Sequence, residues 1–129
     1  MTQEEKELLL KDISARLPYG IKCQVQEDEY TYIGTLCRLE VDNKNGNLLD
    51  FVESISGLDC QVYLSEAKPY LLPMSSMTEE QRKEYHELLY NPKHGINIDY
   101  FDWCHKNHLD CRGLIPKGLA IDATGLNIY

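Results

Sequence analysis

The chain has 129 residues, 43% of them hydrophobic, and a formal net charge of −8. This length and apolar content predict a single domain over residues 1–129 with one core, and argue against disorder. The acidic balance and the lack of a Lys/Arg cluster disfavour nucleic-acid binding, because phosphate backbones would be repelled.

The predicted compartment is cytoplasmic, with no contact to a membrane. No apolar run approaches the roughly 20 residues that a membrane helix needs. The first ten residues, MTQEEKELLL, are acidic where a signal peptide would be basic. The five cysteines are an odd number and cannot all pair, which fits reduced thiols in the cytosol.

The first predicted element is an N-terminal helix. Thr2 and Glu5 have the spacing of a capping box, and the first turn is acidic, as the helix dipole favours. Pro18 and Gly20 predict its end. Leu10, Ile13 and Leu17 recur at helical spacing, with Leu9 flanking them.

Four strands are predicted next, over residues 21–26, 30–41, 48–55 and 58–64, from alternating or β-branched sequence. Gly34 predicts a bulge in the second strand. The Asn45-Gly46 pair predicts a turn between the second and third. Three cysteines fall at alternating positions, where cysteine acts as a small buried hydrophobe: Cys23, Cys37 and Cys60.

The segment KPYLLPMSSM (68–77) contains Pro69 and Pro73. Because proline cannot donate to a ladder, these residues predict an edge or an extended crossing segment. If residues 68–74 lay beside an open strand, a homodimer through the sheet edge would be possible.

Two helices are predicted to follow. Thr78 and Gln81 have capping-box spacing at the start of the first, and Asn91-Pro92 and Gly95 predict its end. Its predicted buried stripe consists of Tyr85, Leu88 and Leu89. The second of these helices is predicted over residues 96–108, and the tail from 109 to 129 as loops with one short element.

This order of elements predicts the α+β class. We expect a mainly antiparallel sheet of about four strands, packed with one N-terminal and two C-terminal helices.

The C-terminal half resembles a known family. KPYLLPMSSMTEEQ (68–81) and IDYFDWCHKNHLDCRGLIPKGLA (98–120) are similar to a Pro-Tyr-Leu-x-Pro-x-Ser-Ser-Met-Thr-Glu-Glu run and an Asp-Tyr-Arg-Gly-Leu-Ile ending. These runs mark small uncharacterised proteins of gut Bacteroidales, often encoded in phage-like or mobile elements. The resemblance implies this genomic context and no catalytic residues. It also implies that Cys104 and Cys111 are local variation, since the family pattern has an aliphatic and an aromatic residue there.

The stretch DWCHKNHLDCRG (102–113) holds two of the five cysteines and two of the four histidines. In a helix through residue 108, Cys104 and His108 are i and i+4 and could share a metal ion or form a thiol–imidazole pair. A tetrahedral zinc would need two further ligands, and the chain has no C-x-x-C motif. Folding would have to bring them from a scattered set: Cys23, Cys37, Cys60, His86, His94 and Cys111.

Packing explains the same stretch more simply. The predicted helix carries two adjacent stripes, Ile98, Phe101 and His105 beside Tyr100, Trp103 and Cys104. We expect this aromatic surface to pack into the core in the main. Its functional interpretation is that Tyr100 or Trp103 stays partly exposed and anchors a protein partner, with Arg112 at the rim.

These patterns favour a non-enzymatic protein-interaction or accessory protein, and the family resemblance implies that it belongs to a bacterial or phage mobile element. No glycine-rich phosphate loop occurs, so we expect no cofactor and assign no catalytic residue. The expected partner is another protein of unknown identity. The alternative is a small metal-binding or Cys/His-dependent enzymatic domain that uses Cys104 and His108.

Overall fold

The computed structural model describes residues 1–42, 46–90 and 98–129, and it confirms the α+β class. Within these ranges no helix is both long and apolar enough to cross a bilayer. The helices and strands are α1 Gln3–Arg16, β1 Lys22–Glu27, β2 Tyr30–Asp42, β3 Gly46–Glu53, β4 Asp59–Tyr63, β5 Ala67–Leu71, α2 Glu79–Tyr90, α3 Ile98–Lys106 and β6 Ile121–Asp122.

The strands form one mixed sheet in the order β4-β3-β2-β1-β5-β6. The first five strands of this order pair antiparallel, and β6 runs parallel to β5. The expected four strands correspond to β1–β4. The sheet has six because β5 and β6 join it through pairing between distant segments, which local alternation does not reveal.

The prediction that residues 68–74 form an edge is wrong for β5. This strand lies between β1 and β6, with Pro69 opposite Cys23 of β1. β6 pairs with β5 at Tyr70 and Leu71, which follow Pro69. Proline has no N–H to donate, and the pairing of β6 does not require a hydrogen bond from it.

Gly34 does not mark a bulge. The register of β2 against β3 shifts between Leu36 and Arg38, which places the irregularity at Cys37 and leaves that residue exposed rather than buried. Gly34 instead gives room to Phe51, because a Cβ at this position would stand 2.9 Å from the Phe51 Cβ.

The core joins α1, the sheet and the chain after α3. The predicted loops of residues 109–129 contain the short β6 as their one regular element within the described ranges. Even so, they contribute closely packed side chains to the same core. The core residues are Leu9, Ile13, Ile21, Cys23, Val25, Leu36, Leu49, Phe51, Val62, Leu64, Ala67, Leu71, Leu114, Leu119 and Ala120.

The last residue of the chain is tied to the sheet. The Tyr129 hydroxyl donates to the Tyr70 carbonyl at 2.9 Å and accepts from the Lys22 amide at 2.9 Å, so it bridges β5 and β1. The ring of Tyr129 stacks on His108 with 3.5 Å between centroids and 6° between planes.

Both predicted capping boxes are present. The Thr2 hydroxyl accepts from the Glu5 amide, and the Glu5 carboxylate accepts from the Thr2 amide, each at 3.1 Å. Thr78 and Gln81 make the equivalent pair at 3.1 and 3.0 Å at the start of α2. The expected Asn45 turn and the expected end of α2 at Asn91-Pro92 and Gly95 lie outside the described residues.

Helix α2 attaches to α3 through a few aromatic and polar contacts. The Tyr85 ring lies 5.9 Å from Tyr100 and 6.0 Å from Trp103, whose indole N–H donates to Glu84 at 2.7 Å. The Gln81 amide donates to Asn107 at 3.2 Å. Two of the residues predicted as its buried stripe, Tyr85 and Leu88, are only half-buried, and the side chain of Leu89 is not among those described.

We expect Gly34→Ala to destabilise the protein, because the added methyl group must push into the Phe51 Cβ within a paired, buried strand. Overpacking of this kind costs about 1–3 kcal/mol. Urea unfolding followed by circular dichroism measures the change. Thr31→Ala, an exposed position on the same strand, is the control and should shift the free energy of unfolding far less. Equal effects of the two substitutions would contradict this role of Gly34.

Candidate functional site

Six side chains from α1, from α3 and from the loop after α3 lie together. We call them the Asp12 cluster: Asp12, Arg16, Cys104, His105, Cys111 and Arg112. The loop returns towards α1 because α3 ends at Lys106 and His108 adopts a left-handed conformation with φ 59°. The chain then pairs with Leu72, whose amide donates to the His108 carbonyl and whose carbonyl accepts from the Asp110 amide, both at 2.8 Å.

The centre of the cluster is a fully buried ion pair on α1. Arg16 Nε lies 2.8 Å from Asp12 Oδ2, and Arg16 Nη2 lies 3.1 Å from Asp12 Oδ1. Arg16 Nη2 also donates to the Leu109 carbonyl at 2.6 Å, which ties α1 to the returning loop. The two-pronged geometry keeps the desolvated guanidinium and carboxylate matched atom to atom.

Arg112 brings a second guanidinium to the same carboxylate. Its Nη1 donates to Asp12 Oδ1 at 2.9 Å and to His105 Nε2 at 2.8 Å. Because a guanidinium can only donate, His105 Nε2 must accept, and the imidazole is neutral with its proton on Nδ1. Burial, together with the charges of Arg16 and Arg112, lowers the pKa of His105 to about 4.

Cys111 is a half-buried thiol in a positive environment. Arg16 Nη2 and Arg112 Nη1 each lie 3.9 Å from its Sγ. A hydrogen bond from the Cys104 thiol lowers the pKa of Cys111 to about 7, assisted by the two arginine charges and opposed by burial. The same hydrogen bond and burial raise the pKa of Cys104, which therefore keeps its proton.

The charge balance of the cluster favours a thiolate at Cys111. Two guanidinium groups face one carboxylate, and the neutral His105 adds no charge. An excess of one positive charge therefore remains in a largely buried site, where such an excess is costly. Ionisation of Cys111 is the change that cancels it, so the two arginine charges add to the effect of the Cys104 hydrogen bond, which is the largest cause of the lowered pKa.

Three cluster members have the spacing of metal ligands. A carboxylate oxygen of Asp12, a ring nitrogen of His105 and the Cys111 sulfur all lie within 4.8 Å of one another. Arg112 Nη1 sits among them, at 2.9, 2.8 and 3.9 Å. The guanidinium thus takes the position from which a cation would contact all three atoms, so the cluster does not fit a metal ion.

The predicted pair of Cys104 and His108 rests on a helix that continues through residue 108. In the structure α3 ends two residues earlier, and the His108 ring stacks on Tyr129. The largest cause of the raised pKa of Cys104 is its interaction with Cys111, and His108 is not among the causes. Within the described ranges, the three-residue ligand group includes neither member of the predicted pair.

The predicted interaction surface of Tyr100, Trp103 and Arg112 is largely engaged within the chain. Tyr100 and Trp103 are half-buried against Tyr85, and the Trp103 indole N–H is bonded to Glu84. The Arg112 side chain is only 12% exposed, because its guanidinium binds Asp12 and His105 and does not lie at the rim of the predicted surface.

Asp12 and Arg16 are members of the cluster that the sequence did not lead us to predict. One signal was present: residues 9, 12, 13 and 16 share one face of a helix, and Leu9 and Ile13, the apolar members of this set, are both buried. An Asp/Arg pair at i and i+4 on an apolar face indicates a buried pair rather than a solvated one.

Comparison with known proteins gives no match to a family model, to a curated protein or to a solved structure.

We expect Asp12→Asn to destabilise the fold strongly, because it leaves the Arg16 and Arg112 guanidinium groups without a counter-charge. Breaking a buried pair from one side costs about 3–5 kcal/mol. Urea unfolding of this variant measures the loss. Urea unfolding of the single variants Asp12→Leu and Arg16→Met, and of the double variant that combines them, measures the coupling. The double variant removes both buried charges of the α1 pair and should lose less stability than the two single variants together. Strictly additive losses would show that the two side chains do not act as a pair.

The two buried imidazoles predict acid sensitivity. The pKa values of His105 and His108 are both lowered to about 4, mainly by burial, from an ordinary value of 6.5. Between pH 6.5 and 4 the unfolded chain binds protons there that the native chain does not. The free energy of unfolding therefore falls as the pH falls, by about 1.4 kcal/mol per pH unit for each histidine.

His105→Gln tests this sensitivity, because glutamine keeps an acceptor for Arg112 and does not titrate. The carboxyl groups titrate alike in the wild type and in the variant. The difference between their two curves of unfolding free energy against pH therefore reports on His105 alone. We expect a shallower loss in the variant across this range, measured by urea unfolding at a series of pH values. Parallel profiles would contradict the assignment.

Proposed function

We propose that the chain is a non-enzymatic interaction protein that binds an extended segment of another protein along β4. One observation carries the proposal: Ile55 is 94% exposed and Leu58 is 68% exposed, both in the turn that joins β3 to β4. β4 is the terminal strand of the sheet, and its outer side has no strand partner in the described part of the chain. Apolar side chains thus flank an open edge.

An open edge is a template for strand addition. Its free N–H and C=O groups can form a ladder with an incoming segment, and neighbouring side chains then supply specificity. Along β4, Asp59, Gln61 and Tyr63 are exposed. Tyr63 is 45% exposed and offers a ring that would cover a partner's side chain.

The charge around this edge suggests the partner's chemistry. Glu53 at the end of β3 and Asp59 at the start of β4 flank the apolar turn, and the chain as a whole carries −8. The complementary partner is an extended segment that combines apolar side chains with Lys or Arg. A second copy of this acidic chain fits less well, because like charges would face each other across the new ladder.

Two other interpretations receive less support. The surface predicted around Tyr100, Trp103 and Arg112 stays a prediction, and these side chains already have partners within the chain. A metal-binding or Cys/His-dependent enzymatic domain built on Cys104 and His108 lacks a shared geometry for the two residues. The resemblance to proteins of mobile elements suits an accessory protein whose role is to bind another protein, rather than nucleic acid or a membrane.

We expect a double variant, Ile55→Asp with Leu58→Asp, to lose partner binding at least tenfold. Loss of two apolar contacts at an interface costs about 1–2 kcal/mol each, and 1.4 kcal/mol is a factor of ten in affinity. Affinity capture from the native host, with quantification of co-purified proteins, measures the loss. Hydrogen exchange of the complex should show protected amides in β4.

The matched control is Leu126→Asp, which makes the same chemical change at another half-exposed leucine. It should retain the partner. If Trp103→Ala abolishes capture and the β4 double variant does not, the aromatic surface of α3 is the binding site instead. Light scattering over a concentration series separates a second copy of the chain from a different partner.

A further inference from the structure

We propose that Cys104 and Cys111 form a redox-active dithiol that reacts with hydroperoxides. Cys111 is the nucleophile and Cys104 is the resolving thiol. The proposal rests on the Asp12 cluster, which shares no residue with β4 or with the turn before it. This proposal and the proposed binding at β4 can therefore fail separately.

The geometry provides each part that a reactive thiol needs. Cys111 is partly exposed, so a small oxidant can reach it, and two guanidinium nitrogens lie 3.9 Å from its sulfur. Cys104 is fully buried, and its interaction with Cys111 is the largest cause of the lowered pKa of Cys111 and of the raised pKa of Cys104.

The charged and titratable groups around Cys111 come from both packed elements. Asp12 and Arg16 face it from α1, and Cys104 and His105 face it from α3. His105 is a positioning residue: its Nε2 fixes the Arg112 guanidinium at 2.8 Å. Two guanidinium groups, those of Arg16 and Arg112, therefore lie beside the Cys111 sulfur, and Asp12 offsets the charge of only one of them.

The other three cysteines lack this environment. Cys23 is fully buried, and burial raises its pKa. Cys37 is exposed, but burial of its sulfur and the charges of Asp50 and Asp59 raise its pKa. Cys60 is half-buried beside the Tyr32 hydroxyl, 2.6 Å away. Cys37 is thus a natural internal reference for the reactivity of Cys111.

The reaction has two balanced steps. The Cys111 thiolate attacks one peroxide oxygen, forming an S–O bond and breaking the O–O bond, so the sulfur loses two electrons and becomes a sulfenic acid. The leaving hydroxide or alkoxide takes a proton from solvent. The Cys104 sulfur then attacks the sulfenic sulfur, forming an S–S bond and releasing the hydroxyl group, together with the Cys104 proton, as water.

The disulfide changes the charge of the site. Closing it brings the two sulfurs to about 2.05 Å and removes the thiolate that balanced Arg16 and Arg112. The oxidised cluster keeps the excess positive charge, so a thiol reductant that restores the thiolate also restores the balance. The dithiol is therefore reversible in the presence of small thiols.

Hydrogen peroxide added to the full-length protein at neutral pH tests the proposal. Alkylation of the remaining thiols and peptide mass spectrometry should show an intramolecular Cys104–Cys111 disulfide while Cys37 stays reduced. Because the pKa of Cys111 is lowered and that of Cys37 is raised, a larger fraction of Cys111 is thiolate at neutral pH, and we expect Cys111 to react several-fold faster than Cys37. The rate should rise with pH as the thiolate forms.

Two variants identify the roles. Cys104→Ala should leave a Cys111 sulfenic acid that a dimedone probe captures, and Arg112→Gln should slow the oxidation of Cys111 several-fold while the rate at Cys37 is unchanged. Circular dichroism confirms the fold of each variant. The wild-type experiment stands alone if a variant does not fold: oxidation of Cys37 before Cys111, or no disulfide between Cys104 and Cys111, would overturn the proposal.

Discussion

One buried ion pair organises the C-terminal half of this protein. Asp12 and Arg16 are both withdrawn from water on the core face of α1, where further hydrogen bonds offset part of the cost of desolvating the pair. The loop after α3 provides two of them, through the Leu109 carbonyl and the Arg112 guanidinium, while Arg16 Nη1 is buried without a partner among the described residues. Cys111 and His105 each contact a guanidinium group that is bound to Asp12. The ion pair therefore also determines where Cys111 lies and which nitrogen of His105 carries the proton.

Elements whose signals are local could be predicted from the sequence. The capping boxes at Thr2 and Thr78 depend on hydrogen bonds three residues apart, and β1–β4 depend on alternation or β-propensity within a few residues. The addition of β5 and β6 to the sheet could not be predicted, since it depends on partners far away in the chain. The exposure of Cys37 is a consequence of register with β3, which no pattern within β2 reveals.

Only part of the Asp12 cluster could be predicted from the sequence, for a similar reason. Its cysteines and histidines stand out by residue type, but their geometry follows from the end of α3 at Lys106 and the left-handed turn at His108, where the sequence has neither glycine nor proline. Asp12 and Arg16 were overlooked because an oppositely charged pair at i and i+4 is usually solvated. Only the burial of Leu9 and Ile13 on the same face distinguishes this pair.

The attachment of α2 has a consequence for how the molecule moves. The described contacts of this helix with α3 are ring packing by Tyr85 and the side-chain hydrogen bonds of Glu84 and Gln81, and none of the side chains described in α2, those of residues 79–88, belongs to the main core. Detaching α2 therefore exposes far less apolar surface than global unfolding does. Such a helix behaves as a separate cooperative unit that opens and closes while the sheet stays intact, so its amides exchange with solvent long before those of β1.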